Sequence, residues 1–269
     1  MDLQKVRERI KYNGEFKPTY EVLKELQNQF LLNVPFENLD IHLGVSLNFS
    51  SSSVYDKIVS KNRGGLCYEN NSLFYDILKE IGFNVIFIKA EMFKNLPLKN
   101  DDDHMHMALL VKIDKEIYLV DVGNGKSFGD PIPILNRSFS RGEDAEYIVD
   151  DFDDIKALYF KNSEGQLVPR YVLDLFPKKR EDFKKACVFI QTSPESPFLK
   201  GTLASLYQPH GRETLTGSKI INTSEDGRLS MSISSREELK KYLEDDFKIF
   251  LEEIQIDYLF EKTSELILN

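Results

Sequence analysis

The chain has 269 residues, of which 41% are hydrophobic and 29% charged, a formal net charge of -9 and two cysteines. That length can bury a substantial core without metal or disulfide staples. The acidic balance argues against a global nucleic-acid-binding face, and two distant cysteines against a disulfide framework or a cysteine-based metal cluster.

No stretch reaches the roughly 18 apolar residues that a membrane-spanning helix needs. The charged start Met1-Asp2-Leu3-Gln4-Lys5 leads into no apolar run, so no signal peptide is expected. Reduced thiols in the cytoplasm are the simplest reading.

The first third reads as helical. Thr19 is a candidate cap for a helix to about Asn33, with Val22, Leu23, Leu26 and Phe30 on one face. The serines Ser50 to Ser53 can cap another, with Val54, Ile58 and Val59 inward. A third begins near Cys67, carries Leu73, Phe74, Ile77, Leu78 and Ile81 at helical spacing, and stops at Gly82.

The pattern then changes to strands. Phe83 to Phe93, Met105 to Ile113 and Ile117 to Val122 are rich in Val, Ile and Phe. Tyr171 to Leu175, Ala186 to Gln191, Thr214 to Ile221 and Arg228 to Ile233 read as further strands, and Ser235 to Phe247 as a helix. Cys187 falls within such a strand and reads as core. The acidic run Asp101-Asp102-Asp103 reads as a solvated loop.

The strongest local signal is Arg63-Gly64-Gly65-Leu66-Cys67-Tyr68-Glu69. Two glycines before a predicted helix allow a tight backbone turn. Cys67 then stands in the first helical turn, where unpaired N–H groups and the helix dipole favour a thiolate. The same N–H groups could hold an oxyanion. The competing reading is a buried, inert cysteine with structural glycines.

A thiol nucleophile needs a base, and the base needs an orienting group. If Ile113 pairs with Glu116 across a turn at Asp114-Lys115, Ala108 lies opposite Asp121. His106, Ala108, Asp121 and Gly123 then share one face, with His106 diagonal to Asp121. His104 has the same parity but stands one pair too far. Taken singly, His106 reads as a structural histidine and Asp121 as a strand-end carboxylate. Together with Cys67 they read as a catalytic set.

At this point the sequence resembles the arylamine N-acetyltransferases. Arg63-Gly64-Gly65-Leu66-Cys67-Tyr68-Glu69 is similar to that family's nucleophile segment. His106-Met107-Ala108-Leu109-Leu110-Val111 and Tyr118-Leu119-Val120-Asp121-Val122-Gly123 resemble its histidine and aspartate strands. Val34-Pro35-Phe36-Glu37-Asn38-Leu39, Thr192-Ser193-Pro194-Glu195-Ser196-Pro197-Phe198 and Leu215-Thr216-Gly217 resemble further family stretches, all in order.

The resemblance implies an α+β chain: a helical bundle over 1–82, a central β-barrel over 83–185 and a C-terminal α/β lid over 186–269, with a cysteine-protease-like core. It implies ping-pong transfer of acetyl from acetyl-CoA, a co-substrate and not a resident cofactor, to an aromatic amine or hydrazine. Cys67 would carry the acetyl group, His106 the protons, and Asp121 would orient the histidine. Phe36, Met105, His106, Asn124 and Phe198 would contact the acceptor. Asp103, Gly125 and Gln208 would contact CoA. Arg63 and Glu37 would form a structural ion pair. No metal, nucleic acid or membrane partner is implied.

One position departs from the family. Asn124 stands where phenylalanine usually follows Asp-Val-Gly, replacing an aromatic wall with a hydrogen-bond donor and acceptor. That substitution is expected to shift acceptor choice toward polar amines. Other cysteine enzymes remain open on the residues alone: an amide synthase or a transglutaminase-like hydrolase. A non-catalytic binding protein that keeps the fold is a further alternative.

Overall fold

The computed structural model describes residues 1–93, 105–126, 128–142, 145–224 and 227–265. His104 and the Asp101–Asp103 run, including the expected CoA contact Asp103, lie outside them. Among the described residues no helix is long and apolar enough to cross a membrane.

The N-terminal part is helical. Helix α1 (Leu3–Ile10) is capped by the Asp2 carboxylate, which accepts from the Gln4 and Lys5 N–H groups. Helix α2 (Tyr20–Asn33) is capped by Thr19 and buries Leu23, Leu26 and Phe30. A short strand β1 (Phe36–Glu37) and helix α3 (Leu39–His42) follow. Helix α4 (Ser51–Tyr55) starts at Ser50 and continues as a wider turn to Ser60. Helix α5 (Cys67–Ile81) ends at Gly82, whose φ of 103° a residue with a Cβ rarely adopts.

Eight antiparallel strands curl into a nearly closed barrel. They are β2 (Asn84–Met92), β3 (Met105–Ile113), β4 (Glu116–Val120), β5 (Ile132–Pro133), β6 (Ser140–Arg141), β7 (Glu146–Phe152), β8 (Ile155–Lys161) and β9 (Leu167–Lys178). Their spatial order is β5-β4-β3-β2-β9-β8-β7-β6. A bridge from Phe128 to Gly142 joins the two ends. Alternation divides β3 between two cores. Met107, Leu109 and Val111 pack on the helices, while Ala108 and Leu110 fill the barrel with Leu119, Tyr147 and Tyr171.

Helix α6 (Lys184–Thr192) leads into a second sheet. Its strands are β10 (Leu203–Gln208), β11 (Gly211–Thr216), β12 (Lys219–Ser224) and β13 (Gly227–Ser232), with β1 at its edge. Helices α7 (Arg236–Lys241) and α8 (Glu253–Glu265) cover it. The segments interleave in space: β1 pairs with β10, and Phe183, Ala186, Cys187 and Ile190 join the helical core.

Three sequence expectations are corrected. Ala186 to Gln191 is part of helix α6, not a strand. Ala186, Cys187 and Ile190 share its buried face, and Val188 is turned out to solvent. Packing of that face overrides the β propensity of Val188-Phe189-Ile190. Thr214 to Ile221 is not one strand, because Gly217 turns the chain at φ 54° between β11 and β12. The third correction concerns the glycine pair. Neither Gly64 nor Gly65 has a positive φ; what they supply is space. A Cβ on Gly64 would stand 1.9 Å from the Pro35 carbonyl oxygen, and one on Gly65 would stand 2.6 Å from the Glu69 side chain.

Candidate active site

Cys67 is the first residue of α5, as its position after Gly-Gly-Leu predicts. The Glu69 carboxylate accepts from the Leu66 N–H at 3.2 Å and fixes the helix start. Below this turn lies a buried charge cluster. Arg63 donates to Glu37 at 2.9 Å and to Asp40 at 2.8 Å. Lys57 stands 2.8 Å from both Asp40 and Glu69. Arg9 of α1 donates to the carbonyl oxygens of Ile58, Asn33 and Arg63. The expected Arg63–Glu37 pair is thus one edge of an ionic cluster of Glu37, Asp40, Lys57, Arg63 and Glu69, with Arg9 bound to backbone beside it.

The β3–β4 register is the expected one, with Ile113 opposite Glu116 and Leu109 opposite Val120. His106 and Asp121 therefore meet on the barrel face, Nε2 to Oδ2 at 2.8 Å. Cys67 lines the same cavity as the imidazole and acts on its charge. Since Nε2 is given to Asp121, Nδ1 is the ring nitrogen left for chemistry. Asp121 is fully buried and accepts three further hydrogen bonds. Asn71 Nδ2 and the Gly123 N–H donate to Oδ1, each at 3.0 Å, and the Tyr171 hydroxyl donates to Oδ2 at 3.1 Å.

These contacts set the charges. Burial alone would push the His106 pKa down, but the Asp121 charge and hydrogen bond outweigh it, and Cys67 adds to them. The result is a pKa raised to about 10. Burial would favour a neutral Asp121. The His106 charge and the hydrogen bonds from His106, Asn71 and Gly123 instead hold it below the ordinary carboxylate value. At neutral pH the pair is imidazolium and carboxylate. Cys187 differs: burial pushes its thiol up to about 12.

Cys67 and His106 open into a cavity of about 400 Å³. Phe36, Met105, Asn124, Gly125 and Phe198 line it, so the expected acceptor residues and one expected CoA residue meet there. The Phe36 and Phe198 rings stand edge to face at 6.1 Å. Gln208 closes strand β10 opposite Gly211 and does not line this cavity.

A family model described as N-acetyltransferase matches residues 19–256. The chain is 31% identical to the arylamine N-acetyltransferase pineal gland isozyme NAT-10 of Gallus gallus, over 94% of this chain and 95% of the relative. The chain belongs to the arylamine N-acetyltransferase family.

Solved structures of that family have the same fold. The Mycobacterium marinum arylamine N-acetyltransferase in complex with CoA aligns at a TM-score of 0.87 and 26% identity, over 97% of this chain and 99% of that one. The enzyme from M. tuberculosis aligns at 0.84 and 27%, over 96% and 100%.

The Asn124 amide also has partners within the fold. Its Oδ1 accepts from Arg170 at 2.6 Å and from the Lys126 N–H at 3.3 Å. The acceptor half of the amide is occupied, so only the donor half remains for a ligand. Sequence reasoning missed Asn71, Tyr171, Lys57 and Asp40. Asn71 was within reach, because it lies one helical turn after Cys67 on the same face. Nothing near Tyr171 in the sequence signals a bond to Asp121.

Proposed function

We propose that this chain moves an acetyl group from acetyl-CoA to the nitrogen of an aromatic amine or hydrazine, through an acetyl-Cys67 intermediate. The observation that supports this reading most is the buried His106, held by Asp121 and lining one cavity with Cys67 at a helix start.

In the first half-reaction Cys67 attacks the thioester carbon. The N–H groups of the first turn of α5 face the oxygen that becomes negative. Collapse breaks the bond to the CoA sulfur, and His106 gives that sulfur its proton. In the second half-reaction the amine attacks the acetyl carbon. His106, now neutral, takes the amine proton, and Cys67 leaves as thiolate. Asp121 keeps the imidazole oriented throughout.

The reading extends to the surroundings of the reaction. The acceptor ring lies among Phe36, Met105, Asn124 and Phe198, and CoA enters past Gly125. The enzyme acts on small molecules in the cytoplasm; the net charge of -9 speaks against nucleic acid as a partner.

Intact mass spectrometry after exposure to acetyl-CoA tests the reading. One acetyl group per chain is expected, lost in Cys67→Ala and released by an arylamine. Labelling at Cys187, or none, would overturn it.

A further inference from the structure

The edge of a sheet is a row of unpaired backbone N–H and C=O groups, and proteins blunt such edges. Three of the four sheet edges here are blunted. Strands β5 and β6, at the ends of the barrel sheet, have two residues each, and the Phe128–Gly142 bridge joins the segments next to them. Strand β1 also has two residues, and its Glu37 N–H donates to the Gly65 carbonyl at 3.2 Å. The fourth edge is β13, six residues long and exposed throughout. It pairs with β12 without a bulge, and it carries no proline and a single charge, Arg228.

The groups that β13 offers follow from its register. The Ile233 N–H donates to the Ser218 carbonyl at 2.7 Å. Bonded pairs alternate along an antiparallel ladder, so Met231 and Leu229, opposite Ile220 and Asn222, also turn their backbone groups to β12. Arg228, Ser230 and Ser232 then turn theirs outward. The next outward N–H, that of Ser234, is taken by the Glu238 carboxylate at 2.8 Å, which also accepts from the Ser234 hydroxyl. The open edge therefore has a cation at its start and an anion at its end. Leu229 and Met231 are exposed, on the sheet face where Ile233 is buried.

We propose that β13 is a self-association edge, pairing antiparallel with β13 of a second copy about a two-fold axis at Ser230 and joining the two sheets into one. The choice of occupant rests on self-complementarity. In this register Arg228 lies opposite Ser232, and every outward residue of one strand exchanges hydrogen bonds with the other. Leu229 falls opposite Met231 and extends the apolar layer across the junction. Arg228 at the start of one strand comes beside Glu238 at the end of the other, and the two-fold repeats that contact. Strand β1, which carries Phe36 of the Cys67 cavity, lies at the opposite edge of the sheet, so the pairing is remote from the chemistry.

One short strand buries little area, so a weak, concentration-dependent dimer is expected. Sedimentation of the full chain over a range of concentrations tests it, for wild type, Ser230→Pro, Arg228→Glu, Glu238→Arg and the double charge reversal. Ser230→Pro removes the outward N–H at the two-fold and spares the ladder to β12, since an edge strand accepts proline there. It should weaken the dimer by about tenfold to a hundredfold, the size expected for two lost hydrogen bonds, with the circular dichroism spectrum unchanged. Each single reversal should weaken the dimer and the double reversal should restore it, a comparison that stays decisive should Ser230→Pro fail to fold. Amide hydrogen exchange locates the contact. Raising the protein concentration should slow exchange at Arg228, Ser230 and Ser232 and leave Leu229 and Met231, already bonded to β12, unchanged. A wild type that is monomeric up to its solubility limit overturns the proposal. So does a dimer that Ser230→Pro leaves intact, a double reversal no better than the single ones, or protection of the edge only on adding an unrelated extended peptide.

Discussion

Gly123 lies directly against Cys67: a Cβ at position 123 would stand 2.5 Å from the Cys67 Cα and 2.6 Å from Asn71 Nδ2. The strand end that carries Asp121 thus touches the backbone of the helix start that carries the thiol. Gly123→Ala should push α5 from the strand, because the contact is with backbone and not with a flexible tip. A loss of about 1–3 kcal/mol is expected for such overpacking, with a fall in the rate of Cys67 acetylation. Denaturant unfolding and burst-phase mass spectrometry read the two effects. Retention of both would mean that the close approach does not matter.

Lys57 is the cation shared by Asp40 and Glu69, and Glu69 is almost wholly buried. Lys57→Met should cost about 3–5 kcal/mol, because it leaves a buried carboxylate without its charge partner. Burial raises the Glu69 pKa even with Lys57 present. A folded-state value above the unfolded one means that the fold favours protonated Glu69. The deficit of Lys57→Met should therefore shrink as pH falls, and adding Glu69→Gln should recover part of it at neutral pH. A deficit that is the same at all pH values would place the loss in packing instead.

The pair His106–Asp121 was legible in the sequence because a two-residue turn fixes the parity of the hairpin. Asp114 sits at φ 53° in that turn, and the pairing runs without a bulge to Val120. Cys67 was legible because a helix start after Gly-Gly is a local pattern. Tyr171 was not, since it reaches Asp121 from a strand 50 residues further along. Arg170 was hidden for a related reason: a bulge in β9 directs it, and strand alternation cannot anticipate a bulge. The charge cluster was half visible. Arg63 and Glu37 lie in motifs, whereas Asp40 of α3 and Lys57 of the wider turn after α4 join them only in the folded chain.

The His106 charge makes stability depend on pH in a definite direction. Its pKa rises from the ordinary 6.5 to about 10 in the fold. A raised folded value contributes stability that is fully present below 6.5 and lost as pH rises through about 10. Asp121 acts at the other end: its depressed value contributes stability present above the ordinary carboxylate range and lost in acid. His106→Gln should flatten the alkaline arm in urea unfolding between pH 6 and 10. It should also slow acetyl transfer by roughly 10²–10⁴-fold, the usual contribution of a general base. A variant whose alkaline arm matches wild type would mean that His106 is not the group titrating there.

Two donors to Asp121 should differ in weight. Tyr171 offers a single hydroxyl at 3.1 Å, and His106, Asn71 and Gly123 still bind the carboxylate without it. Tyr171→Phe should cost about 1 kcal/mol, the net value of one hydrogen bond, and leave acetylation of Cys67 within about tenfold. Asn71 does more with one amide. It donates to the Met107 carbonyl at 2.7 Å and to Asp121 at 3.0 Å, and it accepts from the Val122 N–H at 3.0 Å. It ties α5 to β3 and to the strand end beyond β4, all in buried surroundings. Asn71→Ala would leave a buried carbonyl and a buried N–H unpaired, each costing about 1–3 kcal/mol, and would let Asp121 move relative to His106. Its stability loss should exceed that of Tyr171→Phe by at least twofold, and its acetylation rate at pH 7 should fall further. Thermal unfolding and the acetyl-CoA burst give both rankings. If Tyr171→Phe proves the more damaging, the hydroxyl and not the amide holds the carboxylate in place.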